Sequence, residues 1–129
     1  MKRMTKILVL AASWFLLCGA AIAATAPPAQ TETEVTHLLE FVQRSECEFN
    51  RNGTWYNGKD ARLHLEMKYD ALVARGLIGK AEDFIDRAAS KSSISGQNYQ
   101  IRCQDGLTTT SGRWLADELQ RHRKDDKKK

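Results

Sequence analysis

The stretch CEFNRNGTWYNG, Cys47 to Gly58, decides how this chain folds. Two short half-apolar segments flank Asn52-Gly53, and a two-residue hairpin turn with positive φ at both central positions is tolerated best by that dipeptide. The turn fixes the register, because side chains alternate between faces along each strand. Arg51 then stands opposite Thr54, Asn50 opposite Trp55 and Phe49 opposite Tyr56, so an aromatic pair shares one face and Trp55 sits on the other. Cys47 opens the same stretch, and Cys103 is its one partner downstream of the leader. A hairpin and a covalent staple therefore fall at one place.

Working outward, Val35, Leu38, Leu39 and Val42 repeat at helical spacing within Glu34 to Arg44, with Thr31 or Thr33 as the expected cap. Lys59 to Arg75 alternates apolar and polar residues as a strand does, but seventeen residues rich in Ala, Leu, Met, Glu and Lys and stopped by Gly76 read as a helix. Its buried stripe is Ala61, Leu65, Tyr69 and Leu72. Asp60, His64 and Lys68 fall on one polar row. Ala81 to Ser90 reads as a third helix with Phe84, Ile85, Ala88 and Ala89 inward, and KSSISGQ, Lys91 to Gln97, reads as a loop. Tyr99 to Cys103 alternates as a half-buried strand. After a turn at Gln104 to Gly106, Ser111 is expected to cap a last helix from Gly112 to Arg121, with Trp114, Leu115 and Leu119 inward. The sum is an α+β fold: a small three-stranded antiparallel sheet, the hairpin plus one later strand, packed by about four helices.

The ends give the compartment. Lys2, Arg3 and Lys6 precede an apolar run from Ile7 to Leu17, and Ala21 and Ala23 supply the small residues that signal peptidase needs, so residues 1–23 read as a cleaved signal peptide. The run is shorter than the ~20 residues that cross a bilayer. Cys18 follows Leu17, where lipoprotein processing needs something small, so it belongs to the discarded segment. TAPPAQTET, Thr25 to Thr33, makes 24–33 a linker, 34–120 the single domain, and RHRKDDKKK at 121–129 a basic disordered tail. The net charge of +4 comes from these two ends. An exported chain without an aromatic-interleaved basic patch is a poor nucleic-acid binder. Membrane contact is expected through the signal peptide, plus weak surface attraction of the tail.

In a small exported chain two cysteines form a disulfide. Joining Cys47 to Cys103 restrains the unfolded chain by roughly 4 kcal/mol. A redox role is disfavoured, because there is no Cys-x-x-Cys and Glu46 and Glu48 flank Cys47. No catalytic set emerges. His37 and Glu40 share a helix face but make half a metal site at most, and no nucleophile elbow surrounds the serines. Neither metal nor cofactor is expected. The constellation that stands out is cationic: Arg51 and Asn52 at the turn, His64 and Lys68 on the second helix, and Ser92, Ser93 and Ser95 in the loop. Packed together, these groups suit an anion. Alternatively Arg51 and Lys68 are simply solvated, His64 pairs with Asp60 and the serines turn the chain.

Taken together, Ser45-x-Cys47-x-Phe49-x-Arg51-Asn52-Gly53, Ala61-x-x-His64-Leu65-x-x-Lys68-Tyr69, Ala81-Glu82-Asp83-Phe84-Ile85, Ala89-Ser90-x-Ser92-Ser93-x-Ser95-Gly96-x-x-Tyr99 and Trp114-Leu115 resemble a domain-of-unknown-function family of short exported proteins of Gram-negative bacteria. The resemblance covers Glu34 to Leu119, and departs at Lys80, where the family commonly offers a Thr as helix cap. It implies a periplasmic single domain and no known activity. With no recognisable catalytic set in a small disulfide-stapled body, the function expected is non-enzymatic binding of a protein or cell-envelope component. The alternative is a small envelope hydrolase or transferase using His64.

Overall fold

A computed structural model describes residues 24–129; the expected signal peptide lies outside them. The hairpin forms as the sequence dictates. Strands β1 (Glu48–Arg51) and β2 (Thr54–Tyr56) pair antiparallel with Phe49 opposite Tyr56, Asn50 opposite Trp55 and Arg51 opposite Thr54. Asn52 and Gly53 take φ of 52° and 86°, and the Gly53 amide donates to Asn50 Oδ1. β3 (Gln100–Arg102) pairs with the other edge of β1, Glu48 facing Arg102, so the next residues out, Cys47 and Cys103, face each other and are joined by the disulfide.

The sheet has four strands, not three, in the order β2-β1-β3-β4. The extra strand, β4 (Thr108–Thr110), pairs antiparallel with β3. Three successive threonines carry no apolar period, so only their β-branching favours an extended backbone. The ladder runs one step further, because the Ser111 amide donates to the Tyr99 carbonyl. Ser111 is thus not the cap of the last helix, α4 (Ser111–Asp126); it is its buried first residue, with Thr110 at the N-cap position.

The helices cover one face of the sheet. α1 (Ala29–Arg44) and α2 (Gly58–Ala74) pack against each other, and Gly58 sits where they approach most closely: a Cβ there would lie 2.5 Å from the Val42 carbonyl. Asn57 caps α2 by accepting the Asp60 amide. Helix α3 (Ala81–Phe84) passes without a break into a π-helical turn, Ile85–Ala89, which Ser90 closes by donating to the Ile85 carbonyl. Lys80 has no side-chain oxygen to cap α3; instead the Asp83 carboxylate accepts the Gly79 and Lys80 amides. Phe84, Leu38, Ile101, Leu115, Val35 and Val42 fill the centre of the core.

Two boundaries expected from composition are corrected. The stretch 24–33 is not all linker, because α1 begins at Ala29, with Pro28 at the N-cap where a missing amide costs nothing. Neither threonine caps this helix: Thr31 is buried and donates to the Gly79 carbonyl, and Thr33 donates back to that of Ala29. Nor is 121–129 a disordered tail, since α4 continues to Asp126. Arg123 donates through Nε and Nη2 to the two oxygens of buried Glu34, each at 2.8 Å, and through Nη1 to Glu82 at 2.6 Å. These hydrogen bonds hold both carboxyls below the usual carboxylate range. His122 stacks on His37, ring centroids 3.9 Å apart, and His37 Nε2 bonds Glu118 at 2.7 Å. Asp126 lies 3.3 Å from His122 Nε2 but off hydrogen-bonding geometry, leaving that buried nitrogen without such a partner among the described residues. No described helix is long and apolar enough to cross a membrane.

Candidate functional site

Three segments far apart in sequence converge beside the hairpin turn. The turn delivers Arg51 and Asn52, the polar row of α2 delivers His64 and Lys68, and the loop after the π-helical turn delivers Ser92 and Ser93. They line an open cleft of about 460 Å³. Asn52 joins hairpin and loop: its Nδ2 donates to Ser92 Oγ at 3.3 Å, and its Oδ1 accepts from Ser95 Oγ at 2.6 Å. The buried Ser92 hydroxyl also accepts the Ile94 and Ser95 amides, so it is committed to shaping the loop. Ser95 reaches the site through Asn52 and is not among the cleft's lining residues.

Tyr99 organises the floor. Lys68 Nζ donates to its hydroxyl at 3.2 Å and to the Lys91 carbonyl at 3.1 Å, which leaves one of the three ammonium protons for the cleft. With Lys68 donating to the phenol oxygen, the phenol's own proton is available to His64 Nε2, 3.3 Å away. The Arg51 guanidinium stacks over the Tyr56 ring at 4.5 Å. Asp60 is not the partner of His64; it makes no ion pair with His64, Arg51 or Lys68, and among the described residues no carboxylate pairs with either of those two cations.

The electrostatic consequence follows directly. Burial, with Arg51 and Lys68 adding their repulsion, holds the His64 imidazolium below the usual histidine range. Burial and then Arg51 lower Lys68, and burial pushes the Tyr99 phenol up. Two cations thus stand in a cleft whose lining holds no carboxylate among the described residues, beside an imidazole whose charged form is disfavoured. Such an arrangement has the charge and the hydrogen-bond donors that an anion requires. Among the described residues no hydrogen bond joins His64 to a serine or a carboxylate; its partner is the Tyr99 hydroxyl.

The half metal site suggested by His37 and Glu40 is otherwise occupied. His37 binds Glu118, Glu40 lies 3.8 Å from Arg44, and among the described residues no group of three or more His, Cys, Asp or Glu side chains converges for a metal. Sequence reasoning did not assign Tyr99, Tyr56 or Ile94 to the site. Tyr99 was the one with a readable signal, because an inward-facing tyrosine needs a partner for its hydroxyl.

A model of a family of unknown function, DUF5329, matches residues 29–123. The chain belongs to that family. The match begins where α1 begins and ends at Arg123, so all seven cationic-site residues and the clamp to Glu34 fall inside the DUF5329 region. The chain is also 38% identical over 72 residues to an uncharacterised protein, YfeK, of Salmonella typhimurium. That similarity covers 55% of this chain and 58% of the Salmonella protein. No solved structure matches the chain.

Proposed function

We propose that this DUF5329 protein is an exported, periplasmic, non-enzymatic binding domain that recognises a protein or cell-envelope component through an anionic group seated between Arg51 and Lys68. The observation that carries the reading is the pair of cations without a carboxylate partner. Leaving two partly buried positive charges uncompensated lowers stability, so the arrangement makes physical sense when an external anion completes it. Asn52, Ser92 and Ser95 hold the walls of the cleft in place, and Ser93 supplies a hydroxyl that no residue of the chain engages as a hydrogen-bond partner among the described residues.

The second reading, an envelope hydrolase or transferase using His64, is favoured by the size of the cleft that contains His64, several hundred cubic ångströms being typical of a ligand pocket. Against it, no serine among the described residues hydrogen-bonds His64, whose partner is Tyr99. One experiment separates the two: NMR-monitored titration with inorganic phosphate and with acetate, alongside pull-down from periplasmic extract, for the wild type and for Arg51→Gln/Lys68→Gln. Anion-dependent shifts and a partner that both vanish in the double variant support the binding domain. Absence of any bound anion, with turnover of envelope ester or amide substrates abolished by His64→Gln, would replace it with the enzyme.

A further inference from the structure

We infer that the anion is presented by a membrane: the cleft takes the phosphate of an anionic lipid headgroup while Ile94, on its rim, enters the lipid interface. The inference rests on the anion-binding reading above. What it adds comes from Ile94, which lines the cleft and is 96% exposed, the most exposed large apolar side chain of the described chain. An isolated surface isoleucine needs no explanation in general. This one is held out by construction. The Ser92 hydroxyl accepts the Ile94 and Ser95 amides, the Gly96 amide donates to the Ser92 carbonyl, the Ser92 amide donates to the Gln97 carbonyl, and Ser95 is tied to Asn52. A loop so closely bonded keeps its tip from folding back to bury the side chain.

Charge complements this geometry. Arg51 and Lys68 line the cleft, and Ser93, next to Ile94, lines it with them. An apolar side chain projecting beside a cationic recess matches the order of a bilayer surface, where phosphate overlies the acyl boundary. A small soluble anion such as free phosphate would satisfy the cations but leave Ile94 without a partner. The region Arg121 to Lys129 is a separate basic feature, and α4 already engages part of it with Glu34 and Glu82.

The test uses the protein purified as its host exports it, with vesicles of phosphatidylcholine alone or mixed with phosphatidylglycerol, and inorganic phosphate as the soluble probe. The wild type is expected to sediment with the mixed vesicles and not with phosphatidylcholine. Ile94→Ser should weaken that binding by at least about tenfold through lost apolar burial, while phosphate binding in solution persists. Arg51→Gln and Lys68→Gln should each weaken vesicle binding about fivefold and reduce phosphate binding too. Deleting Lys124 to Lys129 should leave most of the vesicle binding. Phosphate binding without vesicle binding, or capture of an acidic protein instead, overturns the membrane inference and leaves the anion site standing. Vesicle binding that ignores Ile94→Ser, or that vanishes with the tail alone, also overturns it. Failure to bind either probe removes both readings.

Discussion

Replacing Arg123 with Met would remove one of the links that clamp the last helix to the first, and its ion pair with the third. Arg123 donates to both carboxylate oxygens of Glu34, whose side chain is 6% exposed, and also to Glu82, whose side chain is 40% exposed. Without it, Glu34 keeps one hydrogen bond, from Gln30 Nε2 at 3.2 Å, and its charge stays buried. Breaking a fully buried pair costs about 3–5 kcal/mol. Arg123 is itself 35% exposed and the Glu82 arm is open to solvent, so the screened arms contribute little and the expected loss is about 2–3 kcal/mol. In a domain of this size that lowers the melting temperature by roughly 10–20 °C. Because Arg123 lowers the carboxyls of Glu34 and Glu82 in the folded state, the stabilisation is present above their unfolded value of about 4.5 and is lost as pH falls below it. Urea unfolding of the wild type, Arg123→Met, Glu34→Gln and the double variant, at pH 7 and at pH 3.5, measures the coupling. A coupling below about 0.5 kcal/mol at pH 7, or one that does not shrink at pH 3.5, refutes the reasoning and returns the segment to a solvated tail.

Three further outcomes are expected. Gly58→Ala should destabilise by about 1–3 kcal/mol in denaturant titration, despite alanine's better helix propensity, since the added Cβ meets the backbone of α1 at 2.5 Å; a neutral or stabilising result would show that the two helices are not in such close contact. Reducing the disulfide should cost roughly 4 kcal/mol, a large share of the stability of a small domain, and fray the β1–β3 pair first in hydrogen exchange. Asn52→Gly keeps the positive φ that the turn requires yet severs both links to the serine loop. It should cost about 1–2 kcal/mol and speed exchange of the Ile94 and Ser95 amides, with the β1–β2 register unchanged.

The parts of this fold that could be read in advance are those whose causes are local. Asn52-Gly53 determined the hairpin register because a primed two-residue turn suits it best, and Cys47 and Cys103 were paired by their number alone, two in a small chain read as exported. For α2, length outweighed an alternating pattern that pointed to a strand. The alternation proved incidental: Leu63 and Met67, its misleading members, are 52% and 70% exposed. What could not be read depends on partners distant in the chain. The threonines of β4 extend because β3 offers an edge, and Arg121 to Asp126 stay helical because Glu34, Glu82 and His37 meet Arg123 and His122 from other helices. In the site, the turn, the α2 row and the serine loop were identified by residue type. Their convergence on Tyr99 and the outward display of Ile94 come from packing, to which periodicity is blind.

Arg51 and Lys68 line a cleft without a carboxylate partner among the described residues, suited to an anion, and His64 beside them reports on it. Titrating the His64 ring by NMR, with and without saturating inorganic phosphate, tests this most directly. The imidazole is expected to titrate below the usual value of about 6.5 in the free protein. It should move upward in Arg51→Gln and Lys68→Gln, and upward in the wild type when phosphate neutralises the two cations. A His64 resonance that titrates at its ordinary value and does not respond to phosphate would contradict the account.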